Sequence, residues 1–346
     1  MNVEDLPTPA VVVDAARLEG NLATMARARP GDRLRPHVKA HKTTALAKRQ
    51  LAHGHTHFCA ATIREIEGMV RAGLDEDLLL ANEVVDASRL GALVRAGARV
   101  TVAVDSEETI EAARRGGVEE VLIDVDVGLP RCGCRPEDAG PLAEKARRLG
   151  LRVRGVMGYE GHVVGNANRA DRERGCAESM RTLLSAHAEV GGDVISAGGT
   201  GTYACNLEAT EIQAGSYALM DTAYAKLELP FEQAFHLMST VLSVSERHAV
   251  GDVGLKSLAM DHGNPTIPGA QVLFCSDEHV TFVPGASDET ASVSPIDWSC
   301  PSRLRVGDRI RLVPAHVDPT LACHEKIFVA ENDRVVDEWE IDLRGW

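Results

Sequence analysis

The feature that most constrains this chain is a regular alternation between residues 34 and 222. Short apolar runs (LRPHVKAH, HFCAAT, DLLLAN, RVTVAVD, EEVLIDVDVG, RVRGVMGYEGH, DVISAGGTGTY and EIQAGSYALMD) are separated by amphipathic stretches such as TTALAKRQLAHG, IREIEGMVRAG and ASRLGALVRAG. Many of these stretches stop at glycine, the residue most readily placed just past a helix end. Strand–helix alternation predicts a parallel sheet with helical crossovers, because parallel neighbours cannot be joined by a tight hairpin. Eight such runs predict a (β/α)8 barrel, with a doubly wound open sheet as the alternative that counting runs leaves standing.

From residue 235 the pattern changes. VLSVSE, GLKSLAM, AQVLFCS, HVTFVP, DRIRLVPAH, KIFVAE and RVVDEWEID read as short strands between turn residues. The expected organisation is an α/β barrel over residues 8–230 followed by an all-β domain over residues 235–346. The opening run PAVVVD could pair into either part, and residues 1–13 are candidates to join the β domain.

A net charge of −14 argues against a nucleic-acid surface, which needs a basic stripe. MNVEDLPTP has neither a basic nor an apolar leader segment, and no apolar run reaches the roughly 20 residues of a membrane span. None of the eight cysteines forms a CxxC pair. Reduced thiols in a cytoplasmic protein that binds neither nucleic acid nor membrane are the expectation.

Barrel enzymes carry their chemistry at the C-terminal ends of the strands. Lys39 ends the first barrel run, beside His37, His41 and Lys42. Two readings stand for it: a solvated strand-end lysine, or a nucleophilic Schiff-base amine whose neighbours keep it deprotonated. SAGGTGTY (Ser196–Tyr203) and the later Gly215, Ser216 and Tyr217 are glycine-rich turns after the seventh and eighth runs. Their amides and the Thr200 and Thr202 hydroxyls could hold an anion, or simply turn the chain. The segment does not match GxGxxG or a P-loop. Arg131 follows the fifth run, and Tyr159 and His162 follow the sixth, so all three are candidates to face one cavity. In PAHVDPT, His316 and Asp318 are at i and i+2. On a strand they would share a face and make a half-site for Zn²⁺, Mn²⁺ or Mg²⁺, or they are an exposed pair before a proline turn. Asp261 and His262 in LAMDHG are read as structural.

RPHVKAHKT, VGLPRCG, GYEGH, AGGTGT, AGSY, MDHG and PAHVDPT occur in the order seen in the D-threonine aldolase and D-serine dehydratase family. From about residue 6 to its end the chain resembles that family, fold-type III alanine-racemase-like enzymes that use pyridoxal 5′-phosphate. The resemblance implies a cofactor-carrying (β/α)8 barrel, a β domain supplying a metal, and a homodimer. Lys39 matches the lysine that carries the cofactor, and Thr200, Gly201, Thr202, Gly215 and Ser216 match its phosphate cradle. Arg131 and Tyr159 match residues around the pyridoxal ring, and His316 and Asp318 match the metal pair. Dehydratases of the family typically show H-x-C there. Asp318 is a hard carboxylate that suits Mn²⁺ or Mg²⁺ better than a thiolate does, which favours the aldolase side.

The implied reaction is retro-aldol cleavage of a D-3-hydroxy amino acid, with D-threonine or D-allothreonine giving glycine and acetaldehyde. His162 or a metal-held hydroxide is the candidate base. The alternatives are dehydration of D-serine or 3-hydroxyaspartate to a 2-oxo acid and ammonia, racemisation, which the H-x-D pair argues against, and a non-catalytic cofactor carrier, which the β domain argues against.

Overall fold

The computed structural model describes residues 1–286 and 298–346. They form two compact units, and the division does not follow one cut in sequence. One comprises Met25–Lys39, Leu46–Gly215 and Leu343–Trp346, and the other Met1–Thr24, Ala40–Ala45 and Ser216–Asp342.

The first strand, β1 (Ala10–Asp14), belongs to the second unit. The first unit is built on β2 (His57–Ala60), β3 (Asp77–Leu80), β4 (Val100–Val104), β5 (Glu120–Asp124), β6 (Arg152–Gly158), β7 (Val194–Ala197) and β8 (Glu211–Ile212), all parallel and in that order. Segment 34–37 bridges the two edges. Leu34 pairs with Ile212 and His37 with Cys59, through Arg35 N–H to the Ile212 carbonyl (2.9 Å), His37 N–H to the Ala214 carbonyl (3.1 Å) and Cys59 N–H to the Pro36 carbonyl (2.9 Å). The run expected as the first barrel strand is thus the closing stave of an eight-membered ring. It carries isolated bridges instead of a ladder: Pro36 has no N–H to give, and a 3-10 turn begins at Val38. The eighth run contributes only a two-residue strand before a 3-10 turn at Ser216–Ala218.

Every residue of β3, β4 and β5 is buried. A parallel strand covered on both faces reads as a near-continuous apolar run, which is why DLLL, VTVAV and EVLID were legible. The helix Ile63–Arg71 begins with a capping box: Thr62 Oγ1 accepts from Glu65 N–H at 3.1 Å, and Glu65 Oε2 accepts from Thr62 N–H at 3.3 Å. Ile66 and Met69, one turn apart, form its buried stripe.

The N-terminal ends of the strands are joined by charge. Asp77, 1% exposed, receives Arg154 through both carboxylate oxygens (2.8 and 2.7 Å) and Arg35 at 3.0 Å. Arg35 also donates to Glu211 at 2.7 Å, and Arg154 donates to Thr101 Oγ1 at 2.7 Å. Arg99 reaches both Asp77 (3.2 Å) and Glu120 (3.0 Å). Burial alone would raise the Asp77 pKa, but the hydrogen bonds and charges of Arg154 and Arg35 outweigh it and hold the carboxyl well below its ordinary value. This polar plug fastens one end of the barrel and leaves the other for chemistry.

The second unit continues with β9 (Phe235–Val244), β10 (Ala249–Gly251), β11 (Ala270–Cys275), β12 (Val280–Pro284), β13 (Arg309–Leu312), β14 (Lys326–Glu331) and β15 (Arg334–Glu340). The sheet order is β11-β12-β10-β9-β1-β14-β15, with β13 on β9. β1 lies between β9, antiparallel to it, and β14, parallel to it. Val11 sits between Leu237 and Ile327, and Val13 between Phe235 and Val329, so alternate residues of three strands stack into one core face. GLKSLAM is not a strand. The Ser257 hydroxyl and N–H both close on the Gly254 carbonyl (3.0 and 2.8 Å), a local bond that competes with sheet pairing. Among the described residues no helix is long and apolar enough to cross a membrane.

Candidate active site

The C-terminal ends of the barrel strands gather the residues singled out in the first unit. Lys39 lies on the 3-10 turn immediately after the closing stave. Its Nζ is 5.9 Å from the Tyr159 ring centroid, and the Arg131 guanidinium is 5.4 Å from the same centroid. Tyr159 therefore carries two cations at its ring, within the range of cation–π attraction. Tyr159 is placed by β6, which ends at Gly158, and Arg131 by the loop after β5.

Two glycines show how closely these loops pack. Gly128 has φ +124°, and a Cβ there would lie 2.8 Å from His162 Cε1, so the imidazole rests directly on the β5 loop. At Gly198, φ +83°, a Cβ would meet Asn206 Nδ2 at 3.0 Å and Ile212 at 3.1 Å. Only a residue without a side chain fits either position. A Cβ on the next residue, Gly199, would come within 3.3 Å of the Tyr159 ring. The buried Thr200–Gly201–Thr202 turn thus starts beside that ring.

Glu160, which the sequence reading passed over, organises this turn. It is 2% exposed. Its Oε1 accepts from the Thr202 hydroxyl and from Asn206 Nδ2 (2.7 Å), and its Oε2 accepts from Gly198 N–H (3.3 Å). The Thr202 hydroxyl also accepts from Gly199 N–H at 3.1 Å, so it serves as an internal brace of the turn. Buried Arg29 adds a second clamp, donating to the Tyr203 and Asn206 carbonyls at 2.9 and 3.0 Å. These partners lie tens of residues from Glu160 in sequence, and nothing local to GYEGH signals them.

Beside Arg131 lies a second feature not anticipated. Asp124, at the end of β5, is held well above the ordinary carboxylate range by burial and then by the neighbouring Glu83, with Arg131 opposing. The loop itself is anchored by Gly133 N–H to Asp105 at 3.2 Å.

Gly215 closes the first unit and Ser216 opens the next stretch of the second. Tyr217 is fully buried in the second unit, its ring 5.7 Å from that of Phe231.

The other candidate cluster lies in the second unit. His316 and Asp318 are not on a strand. β13 ends at Leu312, His316 is the extended N-cap of the short helix Val317–Ala322, and Asp318 is in its first turn, a favoured place for a carboxylate. Even so, His316 Nε2 faces Asp318 Oδ2 at 3.8 Å. Its other nitrogen, Nδ1, bonds Asp261 Oδ2 at 2.6 Å, and the His262 ring stacks on it with centroids 4.0 Å apart. Asp261 and His262, read as structural from sequence, therefore join the cluster, with ligand atoms of Asp261, His262 and His316 mutually within 4.8 Å. Buried Asp221 holds the backbone here, accepting from Val317 N–H and Tyr224 N–H at 3.0 Å each. Burial pushes its pKa up to about 6.

A parallel barrel with a lysine, an arginine and a tyrosine at its C-terminal mouth, joined in one chain to a strand-rich unit, defines an alanine-racemase-like protein. Residues 13–223 match the family model "Alanine racemase, N-terminal domain", and residues 234–330 match "Putative serine dehydratase domain". A D-threonine aldolase from an Arthrobacter species is 35% identical over 98% of this chain and 93% of its own length. The crystal structure of D-threonine aldolase from Filomicrobium marinum superposes with a TM-score of 0.86 at 31% identity, covering 99% of this chain and 96% of that one. The D-threo-3-hydroxyaspartate dehydratase from Delftia sp. HT23 superposes at 0.82 with 26% identity over the full length of both chains. The chain belongs to the D-threonine aldolase and D-serine dehydratase family.

Proposed function

We propose that this protein is a lyase dependent on pyridoxal 5′-phosphate and a divalent metal, which cleaves D-3-hydroxy amino acids such as D-threonine between Cα and Cβ to give glycine and an aldehyde. The relatives act on D-threonine and D-3-hydroxyaspartate, as aldolases and as a dehydratase. The observation that favours cleavage is the His316 environment. Asp261 engages Nδ1, which leaves Nε2 opposite the Asp318 carboxylate. A histidine oriented by a carboxylate through its far nitrogen is the usual arrangement of a metal-binding imidazole, and the nitrogen–oxygen donor set suits Mn²⁺ or Mg²⁺, with Zn²⁺ also accommodated.

The barrel residues fit the cofactor. The glycines at 198 and 199 bring the turn against Asn206, Ile212 and the Tyr159 ring, where a Cβ would be crowded. Lys39 would tether the cofactor through its amine. The Thr200–Thr202 turn, with Gly215, would take the phosphate, and Arg131 and Tyr159 would complete its surroundings. The cofactor supplies the electron sink that breaking a bond at Cα requires, and the metal supplies Lewis acidity at the β-oxygen. The chain's own residues do the rest. His316 and Asp318 would hold the metal. His162 is the chain's own candidate to take the proton from the substrate's β-oxygen at a ring nitrogen. The protein acts in the cytoplasm, as a homodimer.

Metal removal tests this reading. With bound cofactor, EDTA should abolish acetaldehyde release from D-threonine, and Mn²⁺ should restore it. Undiminished release after exhaustive chelation would refute the metal's role.

Glu160→Gln tests the cradle. An amide has one acceptor oxygen where the carboxylate uses two against three donors, so at least one donor meets an N–H. Retention of pyridoxal phosphate on dilution, followed by its absorbance, should weaken on the order of tenfold or more. Unchanged retention would mean that the Thr200–Thr202 turn does not depend on Glu160.

A further inference from the structure

Cys176 and Cys205 are distant in sequence and adjacent in space. Cys176 is fully buried on the long helix Arg169–Val190, and Cys205 is partly exposed in the loop that follows the Thr200–Thr202 turn. The Cys176 thiol donates to Asn206 Oδ1 at 2.9 Å, the side chain next to Cys205 in sequence. Cys205 lines a cavity of about 320 Å³ together with Ala177, next to Cys176, and Met180, Arg181 and Leu184 of the same helix. Asn206 is also the residue whose Nδ2 donates to Glu160 at 2.7 Å. A contiguous set of hydrogen bonds therefore runs from the thiol pair through Asn206 and Glu160 to Gly198 and Thr202.

We propose that Cys176 and Cys205 are a reversible oxidation site for hydroperoxides, closing to a disulfide that loosens the Gly198–Asn206 turn. The partly exposed member is the one chemically suited to react first. The neighbouring Cys176 thiol lowers the Cys205 pKa to about 7, while Cys176 is pushed well up and keeps its proton. A thiolate is the nucleophilic form of cysteine, and a buried neighbouring thiol is the resolving partner such a site needs.

The steps balance. The Cys205 thiolate attacks one oxygen of hydrogen peroxide, forming S–O and breaking O–O, and the departing hydroxide takes a proton to become water. The Cys176 sulfur then attacks the Cys205 sulfur, forming S–S and breaking S–O, and the second hydroxide leaves as water with the Cys176 proton. The two thiols give up two electrons and two protons, and the peroxide becomes two waters. The disulfide removes the S–H that Asn206 Oδ1 accepts and draws residue 205 toward the helix. Asn206 then no longer has both ends fixed, and its bond to Glu160 loses support.

The test uses the full-length enzyme treated with a few equivalents of hydrogen peroxide, alkylated and digested for mass spectrometry, with hydrogen exchange recorded in parallel. The expected result is a Cys176–Cys205 cross-linked peptide two hydrogens lighter than the sum of its parts and reversed by a dithiol. Two of the eight free thiols are lost, and amide exchange accelerates across residues 198–206. Cys205→Ser should lose the cross-link, and Cys205→Ala should do the same without offering a hydroxyl. Recovery of both thiols unmodified, oxidation of Cys205 to sulfinic acid without a cross-link, or a cross-link with unchanged exchange in 198–206 would each overturn the proposal. Neither readout needs the cofactor, so a failure of the turn's proposed phosphate role would leave both unmoved.

Discussion

Replacing Lys39 by alanine should remove the visible absorbance of bound pyridoxal phosphate and reduce turnover on the order of 10³-fold or more, the scale seen when a covalent catalytic residue is lost. The fold should survive. Lys39 is partly exposed on a 3-10 turn, and the bridges that close the barrel come from Leu34, Arg35, Pro36 and His37, before it. Borohydride should fix label to the native protein and not to the variant. A variant with native circular dichroism that still retains the absorbance after dialysis and still takes the label would show that another amine holds the cofactor.

The largest stability effect should come from the opposite end of the barrel. Asp77→Asn preserves shape but leaves the Arg154 and Arg35 guanidinium groups, 8% and 1% exposed, short of their shared anion. Breaking a buried ion pair by removing one partner typically costs about 3–5 kcal/mol, much of it the uncompensated charge left behind. Urea unfolding should therefore show a midpoint lowered by that free energy at an unchanged slope. A loss below about 1 kcal/mol would mean that Glu211 and Glu120 neutralise the arginines without Asp77. The pH dependence has a definite sign. The folded Asp77 pKa lies below its unfolded value, so its contribution is present above the unfolded pKa and is lost as pH falls through the folded one.

These contrasts show which parts of the molecule were legible in sequence. The barrel strands were, because the interiors of DLLL, VTVAV and EVLID are mostly apolar with their buried polar residues mainly at the ends, and the helix Ile63–Arg71 carries a single apolar stripe. The closing stave was legible only as a run of apolar and basic residues, because Pro36 breaks the ladder that defines a strand. β10 is three residues long and GLKSLAM folds on itself, both below what strand patterning resolves. At the candidate site, the loop-borne residues Arg131, Tyr159 and His162 were singled out from their position after strands, and the folded chain puts Arg131 at the Tyr159 ring. Glu160 was not, because its bonds run to residues 198, 202 and 206. Asp261 was read as structural because its contact with His316 spans 55 positions. Polar groups that act through distant partners leave no periodicity, and only the folded chain reveals them.

Cleavage of the bond between Cα and Cβ is read from the identity of the products. The enzyme reconstituted with pyridoxal phosphate and Mn²⁺ is given D-threonine, and the products are read by proton NMR. The account predicts glycine and acetaldehyde in equal amounts. Ammonia and 2-oxobutanoate in their place would contradict it and make the protein a dehydratase despite its Asp318.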